Sequence, residues 1–89
     1  MGNFINGRIR AHIRINGTNE AADFVSKLNS DGSVNYYIIE DENGVKRCNA
    51  RNLYGVMYAM TDYADEMYFV NTTVDGEFPT FINEFRVIA

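Results

Sequence analysis

The feature that most constrains this chain is a change of hydrophobic period between residues 8 and 28. Residues 8–15, RIRAHIRI, alternate between polar and apolar side chains, which is typical of a strand with one buried face. From residue 19 to residue 28 the apolar side chains recur instead at helical intervals. They form one stripe, Ala21, Ala22, Phe24, Val25 and Leu28. A strand that leads through a tight turn into an amphipathic helix indicates a domain that mixes α and β structure.

The rest of the chain continues with the same two periods. The predicted elements are a strand over residues 33–40, an Asn-Gly hairpin turn in 41–44, a strand over 45–50, a helix over 51–60, a strand over 66–72 and a last helix that begins near Pro79. In the third strand, Cys48 and Ala50 should point inward. In the second helix, Gly55 favours close packing against a neighbour, since glycine weakens a helix by about 1 kcal/mol relative to alanine.

The predicted order is therefore β-α-β-β-α-β-α, and the fold class is α+β. Three helices with one apolar side each need a common surface to cover. A four-stranded antiparallel sheet with all three helices on one face supplies it and leaves the other face open, as an open-faced sandwich. The whole chain, residues 1–89, is expected to form a single domain with an N-terminal extension over residues 1–7.

Composition narrows the class of protein. The single cysteine, Cys48, excludes a disulfide framework and favours a reducing, cytoplasmic setting. No apolar run approaches the roughly 20 residues that a membrane span needs. The net charge of -4 argues against nonspecific binding to nucleic acid. No cofactor or metal is expected, because the spacing of Asp62, Asp65 and Glu66 does not match a calcium loop.

Residues 16–85 resemble HPr, the histidine-containing phosphocarrier protein of the bacterial sugar phosphotransferase system. The segment CNARNLYGVMYAM, residues 48–60, resembles the third strand and second helix of HPr proteins from Gram-positive bacteria. The Asn-Gly turn before AADFV and the segment DEMYFV fall where the family places its first helix and fourth strand. The resemblance implies a bacterial protein with the HPr fold and a role related to the phosphotransferase system.

The residues that carry phosphate in the family are missing here. The resemblance implies a histidine after the Asn-Gly turn, followed by Thr or Ser, Arg and Pro, but this chain has Thr18, Asn19 and Glu20. Glu20 would repel a phosphoryl group and suits the positive end of the helix dipole, while Thr18 or Asn19 can cap the helix. Asn52 stands where the family has its regulatory serine, and it can cap a helix but cannot be phosphorylated. We therefore expect a divergent, noncatalytic member that is not an enzyme.

Function is then expected on the open face of the sheet. The segments NYYIIE and EMYFVN are apolar on both sides, so one set of side chains should form an exposed apolar patch that binds a partner protein or a second copy. The partner-binding candidates on this face are Tyr37, Ile39, Tyr68, Val70, Arg10 and His12.

Two alternatives remain open at this point. One is an active phosphocarrier that uses a relocated residue, either His12 or Thr18, although neither lies beside an evident catalytic partner. The other is a small RNA-associated protein that uses the stripe of Arg8, Arg10 and Arg14, which on the simpler interpretation is the solvated face of one strand.

Overall fold

The structure is a computed structural model that describes residues 4–5 and 8–88, with side chains described from Arg8 onward. Its elements are β1 (Phe4–Ile5), β2 (Arg8–Ile9), β3 (Ala11–Ile13), α1 (Gly17–Asn29), β4 (Tyr37–Glu40), β5 (Arg47–Asn49), α2 (Leu53–Asp62), β6 (Met67–Asn71) and a 3-10 helix (Thr80–Glu84). The predicted extension over residues 1–7 lies outside the described residues except for β1, which pairs with β2 as a small hairpin.

Four strands form one antiparallel sheet in the order β3-β6-β4-β5, so the predicted four-stranded antiparallel sheet is confirmed. Phe69 of the central strand β6 lies opposite Ala11 on one side and Ile39 on the other. The outer edge of β3 is paired by the end of the chain. There the Arg14 N–H donates to the Phe85 carbonyl at 2.8 Å, and the Val87 N–H donates to the His12 carbonyl at 2.9 Å.

The core lies between one face of this sheet and the helices. Phe24 of α1 is fully buried and makes edge-to-face contacts with Phe69, Phe81 and Phe85 at centroid separations of 5.2–5.8 Å. Met67 and Phe69 face this core, as their alternation in β6 predicts. Such ring pairs add to the burial of apolar area that dominates folding. None of the helices in the described part of the chain has the length and hydrophobicity that a membrane span requires.

The predicted third helix is wrong, because residues 80–84 form a 3-10 helix instead. Its hydrogen bonds join residues three apart, from the Ile82 N–H to the Pro79 carbonyl at 3.1 Å and from the Phe85 N–H to the Ile82 carbonyl at 2.9 Å. The apolar side was nonetheless predicted correctly, since Ile82 and Phe85 are buried in the core. The fold is therefore α+β with two α-helices and one 3-10 turn.

The predicted strand over residues 33–40 is shortened to β4 by one side chain, Arg51. Its guanidinium donates to the carbonyls of Leu28, Ser33 and Asn35 at 2.9–3.1 Å. These bonds hold residues 33–35 against the end of α1 and so keep them out of the sheet. The Asn-Gly turn before β5 forms as predicted, with the Gly44 N–H donating to the Asp41 carbonyl at 3.1 Å.

Helix α2 begins at Leu53, two residues after the predicted start, and Asn52 is the residue that caps it. The side chain of Asn52 accepts a hydrogen bond from the Gly55 N–H at 3.2 Å, which makes it the N-cap. A Cβ atom on Gly55 would lie 3.0 Å from the carbonyl oxygen of Asn49, so the close packing expected at this glycine is confirmed. Ala50 is fully buried, and Cys48 packs against the core from a half-buried position.

Candidate functional site

The start of α1 is the place that corresponds to the phosphorylation site of the HPr resemblance. The helix begins at Gly17, which has a φ of +83°, and Asn16 precedes it in an extended conformation. The predicted caps, Thr18 and Asn19, are wrong, because the helix has already begun at those exposed residues.

Glu20 takes part in this helix start through its carboxylate. The Asn16 N–H donates to Glu20 Oε1 at 2.9 Å, so the side chain folds back over the first turn. A carboxylate in that place interacts favourably with the positive end of the helix dipole. It also puts negative charge at the point where an anion would otherwise bind. The helix start therefore carries a group of the same sign as phosphate.

A groove of about 360 Å³ adjoins this helix start and carries charges of both signs. Arg14 and Arg86 line it together with Glu20 and Glu84. The Arg86 Nε donates to the Asn83 side-chain oxygen at 3.2 Å, and Asn83 is not one of the two glutamates that line the groove. The groove holds no histidine, since the chain's single histidine is at position 12.

His12 is held by β6 and by the loop that follows α2. Its Nε2 lies 2.7 Å from the Asp65 carbonyl oxygen, and its ring stacks on Tyr68 with 4.6 Å between centroids. A carbonyl oxygen only accepts, so Nε2 must carry the hydrogen. These contacts assign His12 a place on the sheet that is separate from the turn before α1.

The predicted orientation of β4 is wrong. Tyr37 and Ile39 belong to the core on the helix side, with exposures of 2% and 0%. Ile38 and Glu40 lie on the other face, opposite Val70 and Tyr68 of β6. Period-two alternation predicted which residues share a face, but the strand is apolar on both faces and its pattern did not distinguish inside from outside.

The outer face also differs from the predicted apolar patch, because its centre is a buried ion pair. Arg10 is 2% exposed and Glu40 is 0% exposed, with 3.3 Å between Nη1 and Oε2. Arg8 binds the second carboxylate oxygen of Glu40. The Arg10 guanidinium also lies 3.9 Å from the centroid of the Tyr68 ring, which it covers. Tyr68 is buried beneath the Arg10 guanidinium, and Val70 is buried within the sheet. Neither side chain is accessible to a partner.

The predicted stripe of Arg8, Arg10 and Arg14 is not an exposed basic surface, because Arg8 and Arg10 both bind Glu40. Arg10 donates to the carbonyls of Asp41 and Glu42 at 3.1 and 3.2 Å in addition to Glu40, so it is not a solvated side chain. Arg8 is committed to Glu40 as well. Only Arg14 of the three arginines is exposed. Ile9, predicted to face inward, is 40% exposed, because residues 8–9 pair with β1 and the alternation is interrupted before β3.

Two exposed aromatic side chains lie instead on α2. Tyr54 is 82% exposed and Tyr58 is 56% exposed. They are four residues apart on one side of the helix, and Tyr58 meets the buried Tyr63 edge to face at a centroid separation of 6.2 Å. The sequence predicts an apolar stripe of Leu53, Val56, Met57 and Met60 on this helix, and both tyrosines fall outside it. Neither was among the predicted binding residues. We call Tyr54 and Tyr58 the tyrosine pair.

Two groups that pack beside α2, the half-buried Cys48 and the buried Tyr63, have shifted pKa values. Burial raises the pKa of the Cys48 thiol above its ordinary value, which favours the unreactive protonated form. Burial also raises the pKa of Tyr63 to about 12. Both shifts are those of groups packed in an apolar setting, and they support a structural role for Cys48.

Comparison with known proteins adds no relative to this picture. No protein-family model, curated protein or solved structure matches the chain. Within residues 8–88, no group of three or more His, Cys, Asp or Glu side chains is arranged to hold a metal ion. The function is therefore inferred from the geometry of the chain's own residues and from the resemblance in its sequence.

Proposed function

We propose that this chain is an HPr-like protein that carries no phosphate at the family site and acts as a binding or regulatory module. The observation that carries the proposal is the position of Glu20. Its carboxylate bonds to the Asn16 N–H at the start of α1, where the resemblance implies a phosphorylated histidine. Phosphoryl transfer by the family's mechanism needs a histidine nucleophile and a positive surrounding at that point. Residues 16–20 contain no histidine, and the carboxylate of Glu20 opposes the second requirement.

The surface proposed for partner binding is the tyrosine pair on α2. Tyrosine is enriched in protein interfaces because its large ring buries apolar area while its hydroxyl keeps a hydrogen bond. Tyr54 and Tyr58 expose most of their surface and lie on one side of the same helix, whereas Tyr36 is exposed alone before β4 and the tyrosines at 37, 63 and 68 are buried. This location replaces the sheet face expected from the sequence, whose centre is the Arg10–Glu40 ion pair.

The absence of phosphoryl transfer is tested by incubation with enzyme I and phosphoenolpyruvate, followed by intact mass measurement. We expect an unchanged mass, under conditions in which an authentic HPr protein gains one phosphate. A stoichiometric phosphate adduct that disappears in His12→Ala or in Thr18→Ala would overturn the proposal in favour of a relocated phosphorylation site.

Partner binding through α2 is tested separately with a photo-crosslinking amino acid placed at position 54 in cells. We expect one discrete crosslinked product from position 54. The matched control is position 36, because Tyr36 is 55% exposed but lies before β4, away from α2. Equal crosslinking from both positions, or none from position 54, would contradict binding through the tyrosine pair.

A further inference from the structure

We propose that a groove beside β5 binds a small organic anion, in which one carboxylate or phosphate group is attached to a flat apolar body. This inference goes beyond the proposed function, because the groove lies on the sheet face away from the helices and does not involve the tyrosine pair. It follows from the side chains that line the groove and from the hydrogen bonds that they leave free.

The groove has a volume of about 340 Å³, which is near the lower limit for pockets that hold small molecules. Its floor is Ile38, which is 4% exposed and belongs to the outer face of β4. Tyr36 and Thr72 line it from the ends of β4 and β6. Arg47 and Asn49 line it from β5. The groove therefore joins an apolar floor and an aromatic ring to a cationic group and an amide.

The two residues from β5 point to the same side of the sheet. Arg47 and Asn49 are two residues apart in the strand, so their side chains share one face at a spacing of about 7 Å. They lie opposite Glu40 and Ile38 of β4, which also face away from the core. One small acid group can therefore contact both side chains at once.

Arg47 brings a positive charge that the described residues do not neutralise. The carboxylate opposite it in the ladder belongs to Glu40, whose two oxygens bind Arg8 and Arg10. Arg47 itself is exposed, and no carboxylate among residues 8–88 forms an ion pair with it. None of the described residues that line the groove is acidic. An anion that enters the groove therefore meets no like charge on its walls.

Two other grooves in the described part of the chain differ in charge. One, of about 220 Å³, is lined by Asp31 and Glu77 and by no basic residue. The groove beside α1 sets Glu20 and Glu84 against its two arginines. Of these three grooves, the one beside β5 combines a cation with the absence of carboxylates, and this charge complements an anion.

Asn49 adds hydrogen-bond donors to the charge of Arg47. The Arg51 N–H donates to Asn49 Oδ1 at 2.9 Å. A backbone N–H only donates, so the atom that it meets is the amide oxygen. The Asn49 Nδ2 then keeps both of its N–H groups, with no acceptor among residues 8–88. Together with the guanidinium fork, these donors form the arrangement that binds a carboxylate or a phosphate.

The apolar part of the ligand is indicated by Tyr36 and Ile38. The Tyr36 backbone is fixed by two hydrogen bonds, from its N–H to Thr73 Oγ1 and from the Thr72 hydroxyl to its carbonyl, both at 2.8 Å. Its side chain is 55% exposed at the edge of the groove. A flat apolar body can stack on this ring and cover Ile38 while its acid group contacts Arg47. An inorganic anion would leave the apolar half of the groove empty.

The test follows the amide NMR signals of the full chain during titration with four probes. Benzoate and phenyl phosphate carry both parts of the ligand, benzamide lacks the charge, and acetate lacks the ring. We expect saturable shifts in residues 36–38, 47–49 and 72, with benzoate or phenyl phosphate at least about tenfold tighter than benzamide and acetate. The tighter of the two aromatic anions identifies the acid group, and either result supports the inference.

Two variants and a control test whether binding occurs at this groove. Arg47→Gln should weaken binding of the aromatic anions at least about tenfold. Asn49→Asp keeps an acceptor for the Arg51 N–H but replaces the free donors by a carboxylate, and it should abolish binding. The matched control is Arg14→Gln, because Arg14 is an exposed arginine of the groove beside α1, and it should bind as the parent chain does.

Three results would overturn the inference. In the first, neither aromatic anion shifts these signals. In the second, benzamide or acetate binds as tightly as the aromatic anions, so that charge or ring is not recognised. In the third, both variants at β5 bind the anions unchanged while their spectra remain those of the folded chain. Crosslinking from position 54 is measured without these probes, so the proposed function stands or fails separately.

Discussion

Replacing Glu40 by glutamine tests the centre of the sheet's outer face. Glu40 is fully buried, and its two carboxylate oxygens bind Arg8 and Arg10. Glutamine keeps the shape and one acceptor oxygen but removes the charge. Arg10 would then remain buried, held only by that amide and by the carbonyls of Asp41 and Glu42.

The expected cost is large for a domain of this size. Removing one member of a buried ion pair costs about 3–5 kcal/mol, because the charge left behind stays buried without compensation. The retained acceptor and the half-exposed position of Arg8 place Glu40→Gln at the lower end, about 3 kcal/mol. A domain of 89 residues has a total stability of roughly 4–13 kcal/mol. For this size, a loss of about 3 kcal/mol lowers Tm by about 12–24 °C.

Urea unfolding followed by circular dichroism measures this free energy, and Glu84→Gln is the matched control. Glu84 also accepts from a cation, Lys27, at 2.8 Å, but its side chain is 59% exposed. Its replacement should change stability by at most about 0.5 kcal/mol. Adding Arg10→Met to Glu40→Gln should recover part of the loss, since it removes the uncompensated charge. The reasoning is refuted if Glu40→Gln costs no more than Glu84→Gln.

Three further changes test the core, the helix cap and the buried tyrosines. Asn52→Ala should lower the free energy of unfolding by about 1 kcal/mol, because the Gly55 N–H loses its acceptor, whereas Asn52→Ser should be close to neutral in the same urea assay. Phe24→Ala should cost about 3–5 kcal/mol and Phe24→Leu clearly less, because leucine refills most of the cavity, and equal losses would show that filled volume is not what stabilises this site. Burial raises the pKa of Tyr63 and Tyr68 to about 12, so the folded state retains protons that the unfolded state loses near pH 10. These groups should therefore not affect stability below pH 10, and stability should fall as the pH rises from 10 toward 12. Tyr63→Phe should make that fall smaller. It should also remove one tyrosine's share of the absorbance change at 295 nm that appears at the highest pH.

Much of the fold could be predicted from local pattern, because most elements bury only one face. Ala11 and Ile13 point inward as their alternation indicates, and Phe24 and Leu28 do so from α1. Ala22 was placed in the same stripe but is exposed, at the edge where a helical stripe ends. The boundaries depended on distant groups. No local pattern could show that Arg51 holds residues 33–35 in a loop, since the carbonyls it binds lie at least 16 residues away.

The candidate site, too, could be predicted from the sequence only in part. The sequence shows directly that Glu20 and no histidine stands in the turn before α1, and the hydrogen bond between Glu20 and the Asn16 N–H agrees with a role at the helix start. The outer face could not be predicted, because the orientation of β4 is coupled to Glu40 meeting Arg10, which comes 30 residues earlier. The helical period of α2 predicts that Tyr54 and Tyr58 are exposed, but it does not distinguish a binding surface from an ordinary solvated side of a helix.

The place of β6 at the centre of the sheet has a consequence for the order of folding. The strand emerges from the ribosome after β3, β4 and β5, yet β3 joins the sheet only through its pairing with β6. The β4–β5 hairpin has a local partner and can form during synthesis, whereas β3 must wait until Met67–Asn71 has left the exit tunnel. Until then the inward face of β3 has no neighbouring strand and is available to chaperones. A ribosome stalled before β6 should therefore hold a protease-sensitive chain, and one stalled well after it a resistant one.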